Sequence, residues 1–96
     1  MSESKLQGKA IKLLETAGWY VIRIIAASKA GVSDLVCCDP YGRFVTIEVK
    51  FGKNKPTKLQ IYNMQQVVKR NGIAYLINTI EQIETMIKVH SVQEKV

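Results

Sequence analysis

Three things are scarce in this 96-residue chain, and each scarcity excludes a class of protein. No apolar run approaches the roughly 20 residues that a membrane-spanning helix needs. The stretch from Met1 to Lys12 is polar and lysine-bearing, without the apolar centre of a secretory signal, so a soluble, cytoplasmic protein with no membrane partner is expected. Cysteine occurs only at the adjacent positions Cys37 and Cys38, which cannot staple distant parts of the chain. Both are expected to be reduced, buried and structural, facing opposite sides of a sheet. The single histidine, His90, has no partner near it in sequence and is expected at the surface. No serine or cysteine has the neighbours that a nucleophile needs.

Acidic residues are also missing, but only locally. The chain carries 14 basic and 8 acidic residues, a net charge of +6. From Lys50 to Arg70 there are six basic residues and no acidic one; the remainder is balanced at 8 and 8. The whole excess therefore lies in one segment. A concentrated positive patch favours a polyanion such as nucleic acid. With 47% hydrophobic and 23% charged residues the composition is that of an ordinary globule, long enough for a single domain, 1–96, with one core.

The periodicity predicts seven elements. Leu6, Ala10, Leu13, Leu14 and Ala17 recur at helical spacing, giving a helix over 4–17 with Ser4 and Gln7 as a capping box and Gly18 as its C-terminal stop. Trp19 to Ile25 is rich in β-formers and reads as a strand. A loop over 28–33 leads to a β-hairpin of 34–38 and 43–50 around Asp39-Pro40-Tyr41-Gly42, whose proline and glycine suit a type I turn followed by a left-handed residue. A basic loop over 51–56, a helix over 57–70 closed by Asn71-Gly72, a strand over 73–77 and a helix over 79–89 follow. The expected class is α/β, a mixed sheet flanked by helices in the order α-β-β-β-α-β-α.

The hairpin register carries the chemistry. With Asp39 opposite Arg43, Asp34 falls opposite Glu48, their Cβ atoms about 4.5–5.5 Å apart, and alternation puts Lys50 on the same face. Two facing carboxylates among Leu35, Val36, Ile47 and Val49 repel each other and are costly to keep ionised without a cation between them. A hard divalent ion such as Mg²⁺ removes that cost, and a lysine beside it could stabilise charge on a phosphate. The bland alternative is a surface ion pair between Glu48 and Lys50.

Gly31-Val32-Ser33-Asp34-Leu35, then Ile47-Glu48-Val49-Lys50, then Thr57-Lys58-Leu59-Gln60 resembles the virus-type replication-repair nuclease (VRR-NUC) family of the PD-(D/E)XK superfamily. The resemblance runs from about Glu3 to Ile80. It implies a restriction-endonuclease-like core and a divalent-metal-dependent endonuclease, with Mg²⁺ as cofactor, Mn²⁺ able to substitute, and no organic cofactor. It implies that Asp34, Glu48 and the backbone carbonyl of Val49 ligate the metal, that Lys50 positions the attacking water and that Gln60 supports the site. It further implies branched DNA such as four-way (Holliday) junctions as substrate, a homodimer, a role in DNA repair and a phage or bacterial host. Ser33 stands where the superfamily name has proline, a residue that contributes backbone shape and no ligand.

Gln60 has a second reading, because Thr57-x-x-Gln60 is also a capping box. Glu3 matches the acidic residue that many such nucleases carry on the first helix, and helical phase places it towards the sheet, in reach of a second ion. Lys29, Lys53, Lys55 and Lys58 are candidates for DNA phosphates, with Arg23 as a helper. Contacts of that kind position a duplex without reading its sequence. Two rival readings stay open: a flap or nicking nuclease serving a larger complex, and a non-catalytic DNA-binding module on a nuclease-like fold.

Overall fold

The structure is a computed structural model that describes residues 2–92. The elements follow the expected order: α1 (Glu3–Thr16), β1 (Tyr20–Arg23), β2 (Leu35–Cys38), β3 (Phe44–Val49), α2 (Lys58–Lys69), β4 (Ile73–Ile77) and α3 (Ile80–Val89). The strands form one sheet in the order β1-β2-β3-β4, antiparallel up to β3 and parallel between β3 and β4. A parallel pair needs a crossover, and α2 is that crossover.

Side-chain alternation splits the sheet into two unlike faces. Leu35, Cys37, Val45, Ile47, Val49 and Ile77 point to one side, where Leu6, Ala10 and Leu14 of α1 and Ile83 and Met86 of α3 close the core. The other face carries Val36, Thr46 and Glu48, and among the described residues α2 is the helix that lies over it. No side chain of α2 is fully buried. Cys37 is buried in the core, whereas Cys38, on the opposite face, is exposed rather than buried as expected.

Two boundaries depart from expectation, and a third is closed where expected. Helix α1 is capped by Ser2, whose hydroxyl accepts the Lys5 amide at 3.2 Å, and not by Ser4. The helix thus begins at Glu3, where a carboxylate favours the helix dipole. Strand β1 stops at Arg23; one further bond, from the Ile24 amide to the Asp34 carbonyl at 2.8 Å, continues the line, and Ile25 projects into solvent. Asn71-Gly72 closes α2, with Asn71 taking the left-handed conformation (φ 67°). Gly72 is needed there for closeness instead: a Cβ on it would stand 2.6 Å from Val67 Cγ1.

The hairpin adopts the expected register. Leu35 pairs with Ile47, Val36 with Thr46, Cys37 with Val45 and Cys38 with Phe44. Gly42 holds φ at 85°, and the Asp39 amide donates to the Arg43 carbonyl at 3.0 Å. His90 corrects the sequence reading. It is 2% exposed, its Nδ1 lies 2.8 Å from Asp39 Oδ2, and its Nε2 lies 2.7 Å from the Tyr75 hydroxyl. The imidazole also packs on Trp19, with ring centroids 4.9 Å apart.

Candidate active site

Strand β3 runs between β2 and β4, so whatever its even-numbered residues carry is held from both sides. One step beyond the paired residues of β2, Asp34 comes alongside Glu48, as the register requires. Its Oδ2 accepts the Val49 amide at 2.8 Å. In a strand the N–H and C=O of one residue point to the same neighbour. The Val49 carbonyl therefore also points to the Asp34 side, while Lys50 turns its amide to the Ile77 carbonyl of β4 at 2.9 Å.

Glu48 is 1% exposed. Its Oε2 accepts a hydrogen bond from Gln60 Nε2 at 3.1 Å and lies 3.6 Å from Lys50 Nζ. Its Oε1 is buried and, among the described residues, has no hydrogen-bond partner. Desolvation, and then the negative charge of Asp34, push the Glu48 carboxyl up to about 7, against the opposing pull of Lys50. The site therefore contains a desolvated carboxylate oxygen with nothing to bind, a second carboxylate beside it and a backbone carbonyl on the same edge. All are oxygen donors, the set that a hard divalent cation takes. Among the described residues no group of three or more His, Cys, Asp or Glu side chains gathers there, so the protein donors are these and solvent would complete the shell.

Gln60 caps α2 and also reaches Glu48. Its Oε1 accepts the Thr57 amide at 2.8 Å while its own amide donates to Thr57 Oγ1 at 3.1 Å, the reciprocal capping box of α2. Its Nε2 is left to hold Glu48. The cap thus aims the side chain at the carboxylate.

Glu3 lies apart from the carboxylate pair. Its Oε1 accepts Asn54 Nδ2 at 2.8 Å and the Phe51 amide at 3.2 Å, tying the first helix to the loop after Lys50. The bond from Asn54 and then that from the Phe51 backbone hold its carboxyl below the usual glutamate value. Lys53, Lys55 and Lys58 are exposed along that loop and the start of α2, and Lys29 is exposed on the loop before Asp34.

That loop is placed by Gly31. Its φ is 78°, and a Cβ there would stand 2.7 Å from Leu59 Cγ, 2.9 Å from Asn63 Nδ2 and 3.0 Å from the Leu59 backbone carbon. Asn63 Nδ2 meanwhile donates to the Ala30 carbonyl at 3.1 Å. Gly31→Ala is expected to cost about 2 kcal/mol through the left-handed backbone and the clash, and to lower any Asp34-dependent activity by displacing the loop. Denaturant melts together with an activity assay check this; a variant that matches the parent in both would remove the role assigned to Gly31.

A solved structure described as a VRR_NUC domain matches this chain with a TM-score of 0.80 and 22% sequence identity, over 92% of this chain and 97% of that one. The chain has the VRR_NUC fold. No protein-family model and no curated protein matches the sequence. The agreement extends over nearly the whole length of both chains, so the mixed sheet, the crossover α2 and the strand that carries Glu48 and precedes Lys50 are the VRR_NUC architecture itself. No helix among the described residues is long and apolar enough to cross a membrane. A contact that no local sequence pattern signals is that of Asp39 with His90, which spans 51 positions and ties the far end of the hairpin to the end of α3.

Proposed function

We propose that the protein is a divalent-metal-dependent DNA endonuclease that hydrolyses phosphodiester bonds. The observation that carries this reading is the buried, unpartnered Glu48 Oε1 beside Asp34 on the sheet face that also bears Lys50. Asp34, Glu48 and the Val49 carbonyl would hold Mg²⁺, for which Mn²⁺ would substitute. When bound, that ion supplies Lewis-acid withdrawal of charge from the phosphate and a lowered pKa for water. Lys50 stands beside the carboxylates, where its ammonium can orient water and meet the charge that grows on the phosphate. Gln60 holds the Glu48 carboxylate through Oε2, which leaves Oε1 as the oxygen that would ligate the ion. Glu3 sets the loop after Lys50 through Oε1, and its Oε2 would be the oxygen to serve a second ion.

Exposed Lys29, Lys53, Lys55 and Lys58 flank this face and would take backbone phosphates. Branched DNA such as a four-way junction, cut by a homodimer, is the substrate favoured by the family resemblance. A two-fold dimer presents two sites to a two-fold substrate, and a single subunit of this size has little surface with which to embrace a junction. A role in DNA repair follows from the same resemblance.

Labelled four-way junction, flap and plain duplex, incubated with the protein with and without Mg²⁺, test the reading. Metal-dependent products are expected, most from the junction, with loss of at least about a hundredfold in Glu48→Ala and Lys50→Ala while DNA binding persists. Salt-sensitive binding with no products under Mg²⁺ or Mn²⁺ would leave a binding module in place of an enzyme.

A further inference from the structure

Among the described residues, the buried side-chain oxygens and nitrogens without a hydrogen-bond partner are Glu48 Oε1 and Thr46 Oγ1. They belong to the same strand, two positions apart, and so rise from the same face, with their Cα atoms about 6.7 Å apart. The first is accounted for by the proposed metal. Nothing in that proposal uses the second.

Thr46, 4% exposed, lies on the floor of a groove of about 820 Å³ between α2 and the β2–β3 face. Val36 and Phe44 continue the floor, Tyr62 of α2 forms a wall, and Lys29 and Arg70 stand on the lining with no acidic residue among it. Phe44 and Tyr62 are 51% and 55% exposed. The volume is in the range of small-ligand sites, and its chemistry is specific: aromatic faces, a buried hydroxyl and cations. Aromatic faces hold unstacked bases whatever their identity, and cations follow the phosphates. The hydroxyl, unpaired at a cost of roughly 1–3 kcal/mol, is enclosed just beneath the floor and gains a partner where the polar edge of a base displaces the side chains above it. A fully paired duplex offers no base to such a groove, because its bases are stacked on one another.

We propose that this groove receives one unpaired nucleotide of the strand that is cut, next to the phosphate held at Glu48. The inference rests on the nuclease reading and narrows its substrate to DNA with an unstacked nucleotide beside the scissile bond.

The test compares initial cleavage rates, in Mg²⁺, of a duplex bearing one unpaired nucleotide with those of the same duplex fully paired. The full chain is expected to favour the first by about tenfold in kcat/KM, chiefly through KM. Tyr62→Ala and Thr46→Val should each shrink that preference, Tyr62→Ala to within about twofold, whereas Tyr62→Phe, which keeps the stacking face, should retain it. Equal rates on both substrates by the parent protein, or an undiminished preference in Tyr62→Ala and Thr46→Val, would overturn the groove assignment while leaving the nuclease standing. A preference lost together with a change of oligomeric mass in Tyr62→Ala would overturn it too, in favour of a contact between subunits. Absence of products from every substrate would instead refute the nuclease reading beneath it.

Discussion

Glu48→Gln is expected to abolish Mg²⁺-dependent cleavage and, in metal-free buffer at pH 8, to make the protein more stable than its parent. The two effects have one origin. The Glu48 carboxyl is raised from 4.5 to about 7 by desolvation and by the charge of Asp34. A carboxyl whose folded pKa lies above its unfolded one binds more protons in the native state between the two values, so stability falls as pH rises through that window. The contribution is fully present below about 4.5 and is lost once pH passes about 7. Glutamine stays neutral, still accepts from Gln60 and can donate to Asp34. A gain of roughly 2 kcal/mol at pH 8, or about 10 °C in Tm for a domain of this size, is expected. Mg²⁺ should raise the Tm of the parent and leave the variant unmoved. Thermal melts in chelator and in Mg²⁺ between pH 5 and 9 check all of this. A Glu48→Gln protein no more stable than the parent at pH 8 without metal would contradict the buried-charge account of the site.

The second large effect is expected at the opposite end of the hairpin. Asp39 is buried, and burial by itself would raise its carboxyl. Bonds from His90, from the backbone amides of Arg43 and Tyr41 and from the Arg43 side chain overcome that and hold it down to about 2. The Tyr41 and Arg43 amides each donate to Oδ1 at 2.9 Å, while His90 and the Arg43 guanidinium share Oδ2. Arg43 also donates to the His90 carbonyl at 3.0 Å, so the hairpin turn and the end of α3 are tied through one carboxylate. Asp39→Ala leaves a guanidinium and two amides without their acceptor and is expected to destabilise the fold by about 3–5 kcal/mol, a large share of a small domain's total. The folded pKa here is depressed, so the stabilisation is present above the unfolded value of 3.8 and disappears as pH falls through about 2. Urea unfolding at pH 7 measures the loss; a shift below about 1 kcal/mol would mean that the network is ornamental.

The sequence made the first of these sites legible and concealed the second, for a physical reason. Asp34, Glu48 and Lys50 sit on two strands joined by a short turn, and a turn with Pro40 and Gly42 at fixed positions sets the register of everything beyond it. Alternation then decides which side chains share a face. Gln60 was readable for a similar reason, since a capping box works over three residues. Asp39 looked like an ordinary turn former because half of its bonds are those of a turn. Of the other two, one comes from the Arg43 side chain and one from His90, 51 positions away, and no local pattern reports a partner at that distance. The same applies to Glu3, whose bonds to Phe51 and Asn54 depend on how α1 lies against the sheet. The cap at Ser2 was missed because Ser2 and Ser4 both precede the apolar run, and the competition between them is settled by tenths of a kcal/mol. Cys38 followed the alternation, but the helix expected to cover its face does not extend over that part of the sheet.

That partial cover has a consequence for how the molecule tolerates motion. One layer, with α1 and α3 pressed on the apolar face, carries the cohesion of the fold; the other, a lone crossover helix with no fully enclosed side chain, carries little of it. Separating α2 from the sheet therefore costs less than separating either helix of the other layer. For the DNA substrate proposed above, the wall formed by α2 is then the less costly side of the cleft to displace.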